Sequence, residues 1–491
     1  MDLDQLWSRP AIQPAQTALN ALQRLARRRG QSVWLTGGTL RDLLLGRDSP
    51  DLDLTVDGDA LALGQALGSA LGRRFVVLKA AQATGRLPLA EGRYLDLVGL
   101  RAADILADLR LRDFSVNALA APLDSLLAGR PALIDPTAGR ADLAAGRLRL
   151  AGPTSLDDDP LRVLRAFRFM ASHGLRLGPG LLERLAAAGP GLFRVARERV
   201  GQEWLKLMSG ARAPQAIMAM ERAQVLTRLV PALAAGRGVW QNPYHHLDVL
   251  RHNLAACLHL MRLAQGRPAP PAPLAAGAAA YLAPDKRRAL LLTAALLHDL
   301  GKPATRRPEA EPGWHSFHRH DLVGARLAER AVRGLGLAKA DAAWVARLVA
   351  GHMRPFHLMG AEQRQGLGPK PVRRLLAAVG EDLAGLFLLA LADTLAGRGP
   401  LRPPEAEARL MALWQRVVEL NESELAAALA APPLVDGRQL MTALNLTPGP
   451  QVGRLLTFLR AAQLDGRVRN RAEAIELARQ RLARSASPGG H

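Results

Sequence analysis

The stretch LTGGTLRDLLLGRDSPDLDLTV, residues 35–56, organises the reading of the whole chain. Its apolar lead, Val33, Trp34 and Leu35, reads as a buried strand, Gly37-Gly38 as a tight turn, and residues 39–45 as a short helix. Gly46, Ser49 and Pro50 stop that helix. In Asp51-Leu52-Asp53-Leu54-Thr55-Val56 polar and apolar residues then alternate as on a half-buried strand. Side chains two apart on a strand leave the same face, so Asp51 and Asp53 point the same way. Two carboxylates held that close repel each other unless a divalent cation neutralises them, and Mg²⁺ favours carboxylate oxygens combined with substrate phosphates. A glycine turn that opens a helix offers backbone N–H groups and the positive end of a dipole to an anion. Gly-Gly turns are common, and an Asp-x-Asp pair on an exposed strand is ordinarily only solvated. Together they sketch a site for a nucleoside triphosphate and its metals. A P-loop is excluded, because no Gly-Lys-Ser or Gly-Lys-Thr follows the glycines.

Around this stretch, composition sets limits. A chain of 491 residues holds two to four domains, each large enough for its own core. Leu and Ala dominate and aromatic residues are only 4%, while strand signals are confined to the first part, so a mostly helical protein follows. Lys and Arg total 65 against 44 Asp and Glu, a formal charge of +21 that suits a polyanionic partner. A single cysteine, Cys257, rules out an internal disulfide and fits a reducing compartment. The acidic opening MDLDQLWSRP has no apolar segment behind it, and no uncharged apolar run approaches a membrane span. A soluble, cytoplasmic protein without membrane contact is expected.

Further along, residues 11–29 read as an amphipathic helix ending in a basic cluster, residues 61–71 as a helix, and residues 75–78 and 94–98 as strands. Arg112-Asp113-Phe114-Ser115-Val116-Asn117-Ala118 reads as helix, which puts Asp113 and Asn117 on one face with Arg112 alongside. An arginine there can bridge a triphosphate, and an Asp/Asn pair can read ribose hydroxyls. In DDDPLRVLRAFRF, from Asp157, Asp159 caps a helix with Pro160 in its first turn and an arginine ladder at Arg162, Arg165 and Arg168. A cap and solvated arginines would account for all of these residues. The chemical alternative is that Asp159 and Arg162 set an acceptor beside a donor fork. That pair suits the exocyclic amine and ring nitrogen of C or A and rejects G and U.

Gly37, Gly38, Arg41 and Asp42, followed by Asp51 and Asp53, match the Gly-Gly-x-x-Arg-Asp and Asp-x-Asp signature of the nucleotidyltransferases that build the 3′ end of tRNA, and of their bacterial poly(A) polymerase relatives. The chain resembles that family over nearly its whole length. The resemblance implies an α+β fold: an N-terminal nucleotidyltransferase palm, a small mixed sheet with helices, followed by an all-helical neck, an HD domain and a tail. It implies Asp96 as a third acidic residue beside Asp51 and Asp53, with Asp51 and Asp53 holding Mg²⁺. One metal would activate the tRNA 3′-hydroxyl and another would steady the triphosphate as pyrophosphate leaves. Gly37, Gly38, Arg41 and Arg112 would hold phosphates, and Asp113 and Asn117 the ribose. Asp158, Asp159 and Arg162, with Arg165, match the family's acidic pair, two spacers and Arg that choose CTP and ATP, Asp158 standing where Glu is usual. Glu198-Arg199-Val200 and Lys206 resemble the helix that closes the neck. Leu111 departs from the Arg that usually precedes Arg112.

The separation of Asp96 and Arg112 matters for specificity. Full CCA-adding members carry a long flexible segment there, whereas here the two residues are 16 positions apart and the intervening RAADILADLR reads as a plain helix. The missing lever resembles the CC-adding branch; a full CCA-adding enzyme and a poly(A) polymerase remain alternatives.

Eight of the 12 histidines fall between His245 and His320. The order His252, His298-Asp299, His320, His352 and Asp393, with LLTAALLHDLGKPATR around the central pair, resembles an HD domain, whose His-Asp pair bridges metals inside a helical bundle. Imidazole and carboxylate ligands suit Mn²⁺, Ni²⁺, Fe²⁺ or Mg²⁺, and a bound cation can activate water against a phosphoester. An HD phosphohydrolase with a retired transferase head is the rival of a different class. The expected domains are residues 1–145 (palm), 146–232 (neck), 233–400 (HD) and 401–491 (tail). RPAPPAP, residues 267–273, reads as an exposed loop inside the HD domain, and residues 397–404 as the boundary after it. The last helix is expected to carry Arg467, Arg469 and Arg471, and residues 485–491 to be a disordered end.

Overall fold

The computed structural model describes residues 15–486 apart from Pro50, Glu91, Pro131, Pro268, 311–313 and 423–430. The stop expected at Pro50, the first residues of the 11–29 helix, Pro268 of the proline-rich loop and residues 487–491 of the tail lie outside the described residues. The chain divides into two compact units, Met1–Leu229 and Val230–His491.

The first unit is built on one six-stranded sheet. Its strands are β1 (Val33–Thr36), β2 (Asp51–Val56), β3 (Val76–Lys79), β4 (Thr84–Pro88), β5 (Tyr94–Gly99) and β6 (Ala120–Pro122). They lie in the order β3-β4-β5-β2-β1-β6, with only β2 and β5 parallel. Alternation decides which side is core: Leu52, Leu54, Leu95 and Leu97 are buried, while Asp51, Asp53, Tyr94 and Asp96 face the other way. The helix Ala60–Leu71 covers the apolar side with Leu63 and Leu67. The Phe75 ring sits where Cβ atoms on its Gly64 or on Gly85 of β4 would strike it. The expected strand at 75–78 therefore starts one residue later, because Phe75 is an anchor rather than part of the ladder. The strand β4 carried too weak an apolar pattern to be expected.

Beyond the sheet, Arg162–His173, Arg197–Ser209 and Ala213–Arg222 pack together around buried Phe167 and Trp204. Three local expectations change. Gly37 and Gly38 belong to the helix, Gly37–Leu44, instead of a turn before it. Asp113 to Asn117 is not an α-helix: only Ser115–Asn117 winds, as a 3₁₀ turn, and Asp113 Oδ1 accepts from the N–H of Phe114. The helix expected from Asp159 starts at Arg162 and runs to His173 with Leu161 as its N-cap, while Asp159 ends a separate short helix, Ser155–Asp158, and accepts from Leu161 N.

Among its described residues the second unit is helical apart from a two-residue strand pair, Arg307–Pro308 with His315–Ser316. Val249–Ala264, Asp285–Leu297, His320–Gly334, Lys339–Gly351 and Leu383–Ala396 form a bundle; Asp285–Leu297 is buried from Ala289 onward. Cys257 lies inside it as a free thiol whose pKa burial pushes up to about 12. The run Pro369–Ala396 is long and apolar enough to cross a membrane, yet most of it is buried in this bundle. The helix Ala406–Leu420 returns to the same core, with Trp414 edge-on to Phe387 at 5.1 Å. Ala272 and Pro273 of the proline-rich stretch already open the helix Ala272–Leu282. A separate small core of Leu440, Val452, Leu455 and Leu459 joins Gly437–Leu444, Pro450–Leu464 and Arg471–Ala486, with Asp436 and Gln439 forming a capping box. Arg467 and Arg469 precede this last helix rather than lying on it.

Candidate functional site

In the first unit, strand register assembles an acidic row. Parallel pairing of β2 with β5 sets Asp53 opposite Asp96 and Asp51 opposite Tyr94, so the three aspartates share one face of the sheet. Thr39 fastens the helix Gly37–Leu44 to β2: its hydroxyl donates to Asp51 O at 3.1 Å and accepts from Asp53 N at 2.8 Å. Burial, then the neighbouring Asp96 charge, raises the pKa of Asp53; Asp51 is raised as well, chiefly by burial. Among the described residues no donor hydrogen-bonds the Asp53 carboxylate, and Asp51 stays 42% exposed. Crowded carboxylates that resist sharing their charge fit a divalent cation. Arg86 of β4, which sequence reasoning missed, is bidentate to Asp96 at 2.7 Å through both Nε and Nη2.

The expected pair of exposed N–H groups is reduced to one, because Gly37 N donates to Leu119 O at 3.3 Å, and both glycines have a packing reason as well. Gly37 has φ +65°, and a Cβ there would lie 2.9 Å from Arg112 Nη1; a Cβ on Gly38 would lie 3.2 Å from Asp53 Oδ2. Arg112, half-buried beside them, donates to Thr55 Oγ1 at 2.9 Å and to Asp108 Oδ2 at 3.2 Å. Asp108 is 1% exposed and also receives the Arg101 guanidinium, which holds its pKa below the usual range despite burial. Arg41 donates to both oxygens of Asp42 and to Asn117 Oδ1 at 2.8 Å. Asn117 donates to Asp113 Oδ1 at 2.9 Å, and Asp113 Oδ2 meets Arg165 Nη2 at 2.6 Å. Arg41, Asn117, Asp113 and Arg165 are thus one continuous chain of bonds.

The arginine ladder is not a solvated face. Arg162 donates to the carbonyls of Ser155 and Leu111, each at 3.0 Å, and is 3.9 Å from Asp158. Asp159 is tied to Arg199 at 2.7 Å, and Arg168 to Glu203 at 2.7 Å. Asp159 and Arg162 are therefore held by different partners, Arg199 on the helix Arg197–Ser209 supplying one of them.

In the second unit the six expected ligands converge. His252 Nε2 lies 2.9 Å from Asp393 Oδ1, His298 Nε2 lies 3.4 Å from Asp299 Oδ2, and His320 Nε2 lies 3.4 Å from Asp299 Oδ1. His298, His320 and His352 each turn Nδ1 onto a carbonyl three residues back, at Ala295, Phe317 and Val349. With its proton on Nδ1, each imidazole aims an Nε2 lone pair inward, as metal-ligating histidines do. His320 and His352 then face each other Nε2 to Nε2 at 3.2 Å, an approach that a shared cation relieves. Burial opposes ionising Asp299 and Asp393, yet the surrounding imidazoles hold both well below the usual range, and burial takes His352 down to about 3. His298 Nε2 and Asp299 Oδ1 have no hydrogen-bond partner. Two ionised carboxylates, inward lone pairs and orphaned buried atoms fit a divalent metal. His245, not singled out from sequence, joins His252 and Asp393, its Nδ1 held by Asn242 Oδ1 at 2.9 Å. Its clue was the histidine clustering itself. A cavity of about 1170 Å³ adjoins these residues, lined by Tyr244, Trp314, Arg402 and Arg409 among others.

Family models match most of the chain. Residues 33–149 match the poly A polymerase head domain, 174–236 the probable RNA and SrmB-binding site of polymerase A, 250–398 the HD domain, and 430–478 a second domain of tRNA nucleotidyltransferases. The A-adding tRNA nucleotidyltransferase of Deinococcus radiodurans is 35% identical, covering 90% of this chain and 93% of that protein. The CC-adding tRNA nucleotidyltransferase of Thermus thermophilus is 34% identical over 89% of this chain and 91% of its own. A Thermotoga maritima CCA-adding enzyme complexed with tRNA shares the fold at a TM-score of 0.59 and 20% identity, covering 98% of this chain and 99% of its own. The chain belongs to the tRNA nucleotidyltransferase family, as an enzyme with a poly(A)-polymerase-type head and an HD domain.

Proposed function

We propose that this enzyme adds two C residues from CTP to the 3′ end of tRNA, releasing pyrophosphate, and leaves the terminal A to a separate enzyme. The observation that carries this reading is the build of the segment between Asp96 and Arg112. It contains the helix Ile105–Arg110, capped by Asp104 through Ala107 N at 2.8 Å. Buried Asp108 ties this helix to Arg101 before it and Arg112 after it. A short, clamped connection has no slack to re-form the base pocket from C to A.

Asp51 and Asp53, with Asp96 beside them, would hold the divalent metal, Mg²⁺ in the first instance; bound there, it supplies Lewis-acid activation of the 3′-hydroxyl and neutralises the leaving pyrophosphate. The N–H of Gly38 binds the triphosphate together with Arg112, while the Gly37 N–H is taken by Leu119 O at 3.3 Å and holds the turn. Arg41, held by Asp42 and Asn117, fixes that helix, and Asn117 with Asp113 fixes the ribose. Arg162, with Asp159 and Asp158, reads the base, and Arg165 braces Asp113. The basic chain suits the tRNA backbone.

A second reading, addition of the terminal A, is favoured by the name of the Deinococcus relative. Incorporation on transcripts ending at the discriminator base or in CC, with CTP, ATP or both, separates the two. Growth that halts after two C residues supports the proposal, and A added only to the CC-ended transcript supports the rival. Growth to CCA discards the argument from the clamped helix. For the second unit, the buried His/Asp centre supports metal-dependent phosphoester hydrolysis. Cleavage of a 2′,3′-cyclic phosphate that disappears in His298→Ala tests it.

A further inference from the structure

Arg86 has no part in the reaction described so far, yet it sits at its centre. In the antiparallel register of β4 and β5 it lies directly opposite Asp96, and Asp96 lies opposite Asp53. The three side chains form a row across three strands. Both oxygens of Asp96 are taken by the guanidinium, at 2.7 Å each, and Nη2 reaches to 3.6 Å from Asp51 Oδ2. The guanidinium plane is supported by the Tyr94 ring, 4.6 Å below. A planar fork meeting a carboxylate edge-on fixes geometry as well as charge.

The consequence is electrostatic. Arg86 takes the bidentate edge of Asp96 and one lone pair on each of its oxygens, so a metal there must compete with the guanidinium for them. Within this row three carboxylates and one guanidinium leave a charge that one divalent cation balances, the nearby Arg112 being paired with Asp108. A second cation needs the further negative charge of the triphosphate.

We propose that Arg86 is a positioning residue of the transferase: it keeps Asp96 out of the metal shell of the nucleotide-free enzyme, so that Asp51 and Asp53 retain a single divalent cation and the second enters with the nucleoside triphosphate. This rests on the reading of Asp51 and Asp53 as metal ligands.

Mn²⁺ titration followed by electron paramagnetic resonance, on the nucleotide-free full-length protein, tests it. The second unit contributes equally to wild type and head variants, so it cancels in the difference. Arg86→Ala is expected to hold one more Mn²⁺ per chain, or to bind the head Mn²⁺ about tenfold to a hundredfold tighter, as removal of a positive charge at this range implies. Arg86→Lys is expected to keep the wild-type count, because it keeps the charge. Should Arg86→Ala unfold, Arg86→Gln removes the charge while preserving most of the stem. Wild-type count and affinity in a folded Ala or Gln variant overturns the proposal, as does loss of folding in both. Asp53→Ala is the separate control: it is expected to lose one Mn²⁺, and an unchanged count overturns the metal assignment beneath the proposal.

Discussion

The two acidic centres of this chain solve the same problem of concentrating negative charge by opposite means. In the first unit the carboxylates stand on strands, side by side through register, with Asp51 42% exposed and Arg86 as a partner from the next strand. In the second, His252, His298, Asp299 and His352 are at most 1% exposed. Three imidazoles are set by carbonyls: His298 and His352 by the last turn of the helix each directly follows, and His320 by Phe317 O just before the helix it opens. In a last helical turn or just before a helix, a carbonyl's second lone pair is open to a side chain, so it orients a ring nitrogen while Val349 O and Phe317 O still accept a backbone N–H. A sheet face cannot do this, but it can stay open to a substrate as large as a tRNA end. Openness thus goes with arginine-balanced carboxylates, and closure with imidazoles of set tautomer.

The largest effects come from separating the two centres. Asp53→Ala is expected to lower nucleotide incorporation about 10³-fold or more, the several kcal/mol a lost metal site implies, while leaving phosphoester hydrolysis intact. Asp299→Ala is expected to do the reverse, and assaying both activities in both variants would break the division if either substitution abolished both. Next, Arg162→Ala is expected to relax the choice of base. A lost bidentate contact of about 1–3 kcal/mol corresponds to about a tenfold to hundredfold loss of CTP preference over UTP, read from kcat/KM ratios. Third, Gly37→Ala forces a Cβ onto a φ of +65° and against Arg112. A cost of about 1–2 kcal/mol is expected, seen as a raised KM for CTP with hydrolysis unchanged.

The smallest and most diagnostic difference is in acid. Burial lowers His259 to about 4 and His352 to about 3, so the unfolded chain, with imidazoles near 6.5, binds protons that the folded second unit refuses. Its stability is expected to fall as pH drops from 6.5 toward 4. In the first unit burial lowers a single imidazole, His173, among the described residues, while Asp108, Asp113 and Asp142 are held below 3.8 by their arginine partners against the effect of burial, so that carboxylate contribution is present above 3.8 and lost only below it. Peptide-resolved hydrogen exchange at pH 5 should show the second unit opening first. Equal protection of both units would contradict the contrast.

How much was legible follows from how far each signal reaches along the chain. Gly37, Gly38, Asp51 and Asp53 were legible because a strand, a helix start and a period of two are local, and the histidine order because an adjacent His-Asp pair at the end of an apolar run is unusual. Arg86 was invisible: it lies 33 positions after Asp53 in a stretch with little apolar pattern, and only β4–β5 pairing brings it to Asp96. Asp108, Glu203 and His245 were passed over for the same reason, since each acts through a partner on another element. The Asp113–Asn117 segment misled in a different way. Its spacing suited a helix, but Asp113 bonds its neighbour's N–H and the chain turns more tightly.

The sequence by itself determined the family, the α+β head followed by helices, and the residue types at both centres, because each is encoded by short periods and adjacent residues. Only the tertiary structure decided which carboxylates are balanced by which arginines, that Asp159 is bound to Arg199 and Arg162 to backbone carbonyls, and which imidazole nitrogen faces inward. Those outcomes depend on contacts between residues tens of positions apart, and strand register and helix packing, not spacing along the chain, choose among the many arginines and carbonyls available.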